Sequence, residues 1–315
     1  MACLGVLRLA PFLVLATVIL ATATIPRPMT QVWVRDMATS FINSPSDLLT
    51  PMPSTRHPVR MWIKTDFQQH LIGRHWFNSS QPMVIMFGNT DTSPLSSIVH
   101  NLLRMPSVLA IFATNCHLHH PKLHHLPIGY NSPGTPGGWG DASFLMRRMS
   151  ATFNQSRDAM VASFKAKANK AVLPPLGNTH PVRRHVSAWA AASSEIVSVP
   201  RKPFKDMLDT MASYRFCICP RGNGLDAHRV WECLLVGSIP VYVSDDPAPG
   251  IFAAMDAAAL VTSSAAAAKT LARLQAQPVE QHVDFLYRAR QFLTTARYTG
   301  MLQQVLGSQE QLPDV

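Results

Sequence analysis

The chain has 315 residues, 47% of them apolar and 15% charged, which excludes an intrinsically disordered polymer and leaves room for one large or two modest domains. Its formal charge of +10 calls for an anionic partner. No basic run is interleaved with stacking aromatics, and no finger or helix-turn-helix spacing occurs, so nucleic acid is set aside as that partner.

At the N-terminus, Arg8 precedes an apolar run from Leu9 to about Ala23, and Ala21-Thr22-Ala23 has the small residues of a cleavage site. Residues 1–25 are read as a cleaved signal peptide or an uncleaved signal anchor. Both place the remainder in the secretory pathway, in the ER or Golgi lumen, as a type II membrane or secreted protein. Asn78-Ser79-Ser80 and Asn154-Gln155-Ser156 are then glycosylation acceptors. Cys3 goes with the leader; Cys116, Cys217, Cys219 and Cys233 remain, either paired in an arrangement that spacing does not reveal or present as buried thiols. Residues 26–57, rich in Pro, Ser and Thr without a sustained period, are read as a stem.

From Val59 strands and helices alternate. Strands are expected at Val59–Ile63, Pro82–Phe87 and Val108–Ala113, and helices at Phe67–Ile72 and Pro94–Leu103. Such alternation predicts a parallel sheet with crossover helices. Ligands bind outside the carboxyl ends of such strands, where Asp91 and Asn115 fall. Asp91 is the candidate general base, taking a proton from an acceptor hydroxyl; its other role would be to cap the helix near Pro94. His117 to His125 holds five histidines. No acidic ligand is interleaved and Pro121 divides the one i, i+4 pair, so no metal site is expected. Ser143–Ala171 is read as a basic connecting helix, and Pro174-Pro175 as the domain boundary. Arg183 and Arg184 open the second half and reach toward a cleft or lie on the surface.

The most informative stretch begins at Tyr214. Tyr214–Cys219 reads as a buried strand, Pro220–Asp226 as a turn, and Ala227, Val230, Trp231, Leu234 and Leu235 as one face of a short helix with Asp226 as its N-cap and Gly237 as its stop. Ile239–Val243 resumes a strand. His228 and Arg229 occupy the first helical turn, where a cation is disfavoured by roughly 0.3–1 kcal/mol unless an anion is bound there. Glu232, one turn on, is placed to accept from a pair of sugar hydroxyls; otherwise these charges neutralise one another on a solvated helix. The loop Ser244–Gly250 faces the same cleft as Arg221 or is a plain turn. Helices are expected at Ala265–Leu274 and Val279–Leu306.

Cys219-Pro220-Arg221-Gly222, Arg229-Val230-Trp231-Glu232 and Gly237-Ser238-Ile239-Pro240-Val241 together resemble the C-terminal signature of exostosin-like glycosyltransferases. Lys122 to Gly129, Trp139-Gly140-Asp141 and Asn178-Thr179-His180-Pro181-Val182-Arg183 are similar to further segments of that family. The resemblance implies an α/β, GT-B-like fold of two Rossmann-type domains facing a cleft, here residues 58–175 for the acceptor and 176–315 for a nucleotide-diphosphate sugar. It also implies transfer of that sugar to a glycan or glycoprotein. Arg183, Arg221, Gly222, Asn223, Gly224, His228 and Arg229 would hold the diphosphate, with His228 donating to a phosphate oxygen or pairing with Glu232, and Glu232 would take the ribose. No Asp-x-Asp occurs in the chain, so no metal or other cofactor is expected beyond the co-substrate. The rival readings are a glycan-binding protein of the same fold without turnover, and a phosphate-handling hydrolase, for which no nucleophile or metal cluster stands near the loop.

Overall fold

The computed structural model describes residues 35–42, 58–71, 80–88, 91–130 and 142–307. The residues read as a leader, most of those read as a stem, Asn78, Ser79 and the Trp139-Gly140-Asp141 segment lie outside these residues. Among the described residues no helix is long and apolar enough to cross a membrane.

The first sheet contains β1 (Ser40–Ile42), β2 (Val59–Lys64), β3 (Met83–Gly88), β4 (Val108–Ala113) and β5 (Leu123–His125), parallel throughout and ordered as in the chain. Strand β3 shows why the sequence folds this way. Met83, Ile85 and Phe87 enter one apolar cluster and Val84 and Met86 another, so both faces are covered and no polar alternation is needed. Helix α1 (Ser96–Leu103) buries Ile98, Val99, Leu102 and Leu103 on the first of these faces. Strand β1 corrects the reading of residues 26–57 as stem: Phe41 pairs with Trp62, and Met37 and Ile42 are buried.

The second sheet is also all parallel. Its strands are β6 (Ala168–Leu173), β7 (Ile196–Ser198), β8 (Tyr214–Pro220), β9 (Ile239–Val243) and β10 (Val261–Thr262), in the spatial order β7-β6-β8-β9-β10. The chain therefore runs one way from β6 and the other way from β8. The gap between their carboxyl ends is a topological switch point, where open α/β sheets bind ligands. Among the described residues the first sheet has no such reversal.

The expected helix over Ser143–Ala171 is instead α2 (Ala142–Phe153), α3 (Arg157–Ala166) and β6. Ser156 starts α3 by accepting from the Ala159 amide at 3.2 Å. In β6 only Ala171, Val172 and Leu173 are buried, too short a run to announce a strand. The second sheet thus begins before the boundary expected at 175. Helix α3 packs on α9 (Val279–Ala289), with Arg157 Nε 2.7 Å from Asp284 Oδ1. Helices α4 (Val182–Ala192), α5 (Phe204–Ala212), α6 (His228–Leu235), α7 (Ile251–Ala254) and α8 (Ala267–Gln275) complete the second half. The single helix expected over Val279–Leu306 breaks after α9. A 3-10 turn at Arg290–Leu293 buries Phe292 and Leu293, Thr294 is extended, and α10 (Thr295–Leu306) follows.

The halves share a core. One cluster runs from Trp62, Met86 and Phe112 to Trp231, Tyr242, Phe252 and Tyr298. Cys116, Cys217, Cys219 and Cys233 are all buried free thiols. At the rim of the seam, the Gly250 amide donates to the Cys116 carbonyl at 2.7 Å, and a Cβ on Gly250 would run into the His125 ring. Gly250→Ala is expected to cost about 1–3 kcal/mol, read as a lowered thermal midpoint. The double variant with His125→Ala, which clears the space, should recover most of the loss relative to His125→Ala alone.

Candidate functional site

Strand β8 ends at Pro220, and the chain needs seven residues to turn into α6. That turn, the segment after β6 and the start of α5 enclose a cavity of about 440 Å³ at the switch point. Thr179 and Arg183 come from the β6 side, and Gly222, Asn223 and Gly224 from the turn. His228, Arg229 and Glu232 come from α6, and Asp91 and Ile128 from the first half. Among the described residues no side chain caps the first turn of α6. Its leading N–H groups are thus left for a ligand, and the helix dipole favours an anion there by about 0.3–1 kcal/mol, more when partly buried.

Arg183 is seated on main chain. Its Nε donates to the Arg221 carbonyl at 2.9 Å and its Nη1 to the Gly177 carbonyl at 3.3 Å. Its Nη2 lies 2.9 Å from where a Cβ on Gly222 would stand, so glycine is needed for the close approach. Burial, then neighbouring Arg229, holds the Arg183 pKa below the usual guanidinium value. Two like charges thus face one space, and among the described residues Arg183 has no carboxylate within 4.0 Å. Arg229 Nη1 is 2.6 Å from Glu232 Oε2, and the Glu232 side chain is 5% exposed. Glu232 therefore aims Arg229 at the cavity with one oxygen. Arg201 and Lys202 stand at the same cavity, and Leu176, Phe204 and Met207 form an apolar wall.

The sequence placed Arg221 among the phosphate contacts, and the structure does not. Arg221 Nη1 pairs with Asp246 at 2.6 Å, Nη2 donates to the Asn223 carbonyl at 2.8 Å, and the side chain is 11% exposed and faces away from the cavity. It braces the turn from behind. Ser244–Gly250 likewise lines none of the cavity. Asp91 is exposed at the rim, where it accepts from Asn223 Nδ2 at 3.1 Å.

Asp226 is not the simple N-cap that the sequence suggests. It is fully buried and joins the two halves. Oδ2 accepts from the Ile128 amide at 2.7 Å, Oδ1 accepts from the Ala227 amide at 2.7 Å, and Trp231 Nε1 is 3.0 Å from both oxygens. Its own amide donates to Asn115 Oδ1 at 2.7 Å. Asn115, at φ 52°, turns its side chain across the seam, against the place that a Cβ on Gly224 would need. His228 adds a further link, its Nδ1 2.7 Å from the Gly129 carbonyl. Burial pushes the Asp226 carboxyl up to about 7, opposed by its three hydrogen-bond donors. His228 is pushed below its ordinary value, chiefly by burial. Sequence reasoning missed Asp226 as a link and Thr179, Arg201 and Lys202 as cavity residues. The Arg201-Lys202-Pro203 step before a helix was the available signal. Among the described residues no group of three His, Cys, Asp or Glu side chains is placed to hold a metal.

Two parallel sheets whose strand ends face a shared cleft make this an α/β protein of GT-B-like arrangement, its second half doubly wound about the switch point and its first half a parallel sheet in chain order. No protein-family model and no curated protein matches the sequence. Among solved structures it is similar to the GtfA/B complex bound to UDP and GlcNAc, at TM-score 0.36 and 9% identity; the match covers 79% of this chain and 57% of that one. It is also similar to an alpha,alpha-trehalose-phosphate synthase (UDP-forming) from Burkholderia xenovorans in complex with glucose-6-phosphate. There the TM-score is 0.43 and the identity 10%, with 84% and 76% of the two chains covered. A third is AviGT4, a glycosyltransferase involved in Avilamycin A biosynthesis, at TM-score 0.34 and 12% identity, covering 79% and 85%.

Because the folded Asp226 pKa is raised, the native state binds this proton where the unfolded chain has released it. The stability contributed by Asp226 is full below pH about 4 and is lost as pH rises through about 7. Asp226→Asn, which does not titrate, should be less stable overall and should show a flatter thermal midpoint between pH 5 and 8 than the wild type. Parallel curves for the two proteins would refute this.

Proposed function

We propose that the chain is a glycosyltransferase of the exostosin-like kind, which binds a nucleotide-diphosphate sugar in the cavity of its second half and transfers the sugar to a glycan or glycoprotein. The observation that carries this reading is the convergence of Arg183, Arg229 and the uncapped start of α6 at the switch point, beside an apolar wall large enough for a flat base. Guanidinium groups are well suited to phosphate, offering paired donors in one plane.

In this reading the diphosphate lies between Arg183 and Arg229 across Gly222, and Leu176, Phe204 and Met207 cover the base. Glu232 orients Arg229 and offers its second oxygen to the ribose hydroxyls. Arg221 shapes the turn. As the bond to the sugar breaks, charge builds on the departing diphosphate, and cations already fixed in place stabilise that state more than the ground state. The same cations do the work of charge compensation without a metal. The acceptor enters from the side of Asp91. The leader at residues 1–25 supports a site of action in the secretory lumen, with or without retention in the membrane.

Titration of the protein with UDP and GDP tests the reading. Arg183→Ala and Arg229→Ala should each weaken binding of the preferred nucleotide roughly 10- to 100-fold, the loss of a charge-assisted hydrogen bond, with an unchanged circular dichroism spectrum. Wild-type affinity in both variants would sink the assignment.

A further inference from the structure

His228 begins α6 in the wall of the cavity, with its ring held from one side. Nδ1 is 2.7 Å from the Gly129 carbonyl, an oxygen that can only accept. Nδ1 therefore carries the hydrogen. A neutral imidazole with Nδ1 protonated has a lone pair on Nε2, so the other nitrogen accepts and does not donate. This corrects the expectation that His228 gives a hydrogen bond to a phosphate oxygen. Among the described residues no side chain bonds Nε2, and His228 lines the cavity.

The surroundings suit an acceptor of protons. Burial pushes the His228 pKa below its ordinary value and so favours the neutral ring. Asp91 from the first half and Glu232 from the same helix favour the cation once formed, and Arg229 opposes it. The Gly129 carbonyl fixes the ring and stabilises the imidazolium by accepting from Nδ1. Asp91, by contrast, is exposed at the rim and bonded to Asn223.

We propose that His228, through Nε2, is the catalytic residue that takes the proton from the acceptor hydroxyl. This rests on the glycosyl-transfer reading above. An acceptor oxygen forms a bond to the anomeric carbon with its lone pair. The bond from that carbon to the diphosphate oxygen breaks, its electron pair leaving on the diphosphate toward Arg183 and Arg229. The acceptor's proton moves to Nε2, and the imidazolium returns it to water after product leaves. Without an acceptor, water takes the hydroxyl's part and the donor is hydrolysed.

His228→Asn tests this, because the Asn amide can keep the bond to the Gly129 carbonyl while the distal nitrogen is lost. UDP and GDP affinity should stay within threefold of wild type. Nucleoside diphosphate release from UDP-glucose, UDP-galactose, UDP-xylose, UDP-N-acetylglucosamine and GDP-mannose should fall about 100-fold or more, and the acid limb of the wild-type pH profile should disappear. Nitrogen-15 spectra of the wild type, with His228 assigned from the variant, should show Nδ1 protonated and Nε2 bare at pH 8, whether or not turnover is measurable. Unchanged release, a tenfold loss of nucleotide affinity, or an Nε2-protonated ring would each overturn the role of His228 alone. Failure of the wild type to bind either nucleotide would overturn the parent reading with it.

Discussion

The structure depends on one buried carboxylate. Asp226 accepts from Ile128 of the first half and from Ala227 and Trp231 of the second, while its own amide is held by Asn115 from the first. A carboxylate in such a place has lost its water and needs donors from the protein to offset that loss. Supplying them brings the loop after β5 against the start of α6, and Asn115 at the end of β4 accepts from the Asp226 amide at the same point. The cavity is the space left beside that meeting. The cavity draws its lining from across the seam, since Asp91 and Ile128 arrive with the first half and His228 with the second.

Around this point the three arginines at the switch point have separate tasks. Arg183 rests on carbonyls and Arg229 on Glu232, and both face the cavity. Arg221 is turned back to Asp246 and two carbonyls of its own turn. The difference is one of geometry: all three carry the same charge, but each guanidinium goes where its donors are best satisfied. Electrostatic complementarity to an anion therefore comes from Arg183 and Arg229, with Arg201 and Lys202 at the same cavity, and from a helix terminus.

Much of this was legible in the chain. Strands β4 and β9 match their expected limits because continuous apolar runs are flanked by turn residues, and α6 follows from its apolar stripe. Arg183, Gly222, Asn223, Gly224, His228, Arg229 and Glu232 were placed near one ligand by motif and Asp91 by its position after a strand, and the structure brings them to one cavity. The direction in which Arg221 points was not legible, since Asp246 lies 25 residues on and nothing local links the two. Asp226 misled for a related reason: an aspartate before a helix looks like a cap, and its partner Ile128 is 98 residues away. Strand β6 and the break at Thr294 escaped because tertiary contacts, and not periodicity, decide them.

The seat of Arg183 has an evolutionary corollary. Its anchors are the main-chain oxygens of Arg221 and Gly177, which every residue type possesses. Gly222 and Gly224 must keep a bare Cα, Arg221 braces the turn and Asp226 links the halves, but the side chain at Asn223 can be exchanged without unseating the guanidinium. A lineage could thus retune what lies opposite Asn223 while its grip on charge stayed constant, so that selectivity and affinity drift on separate axes.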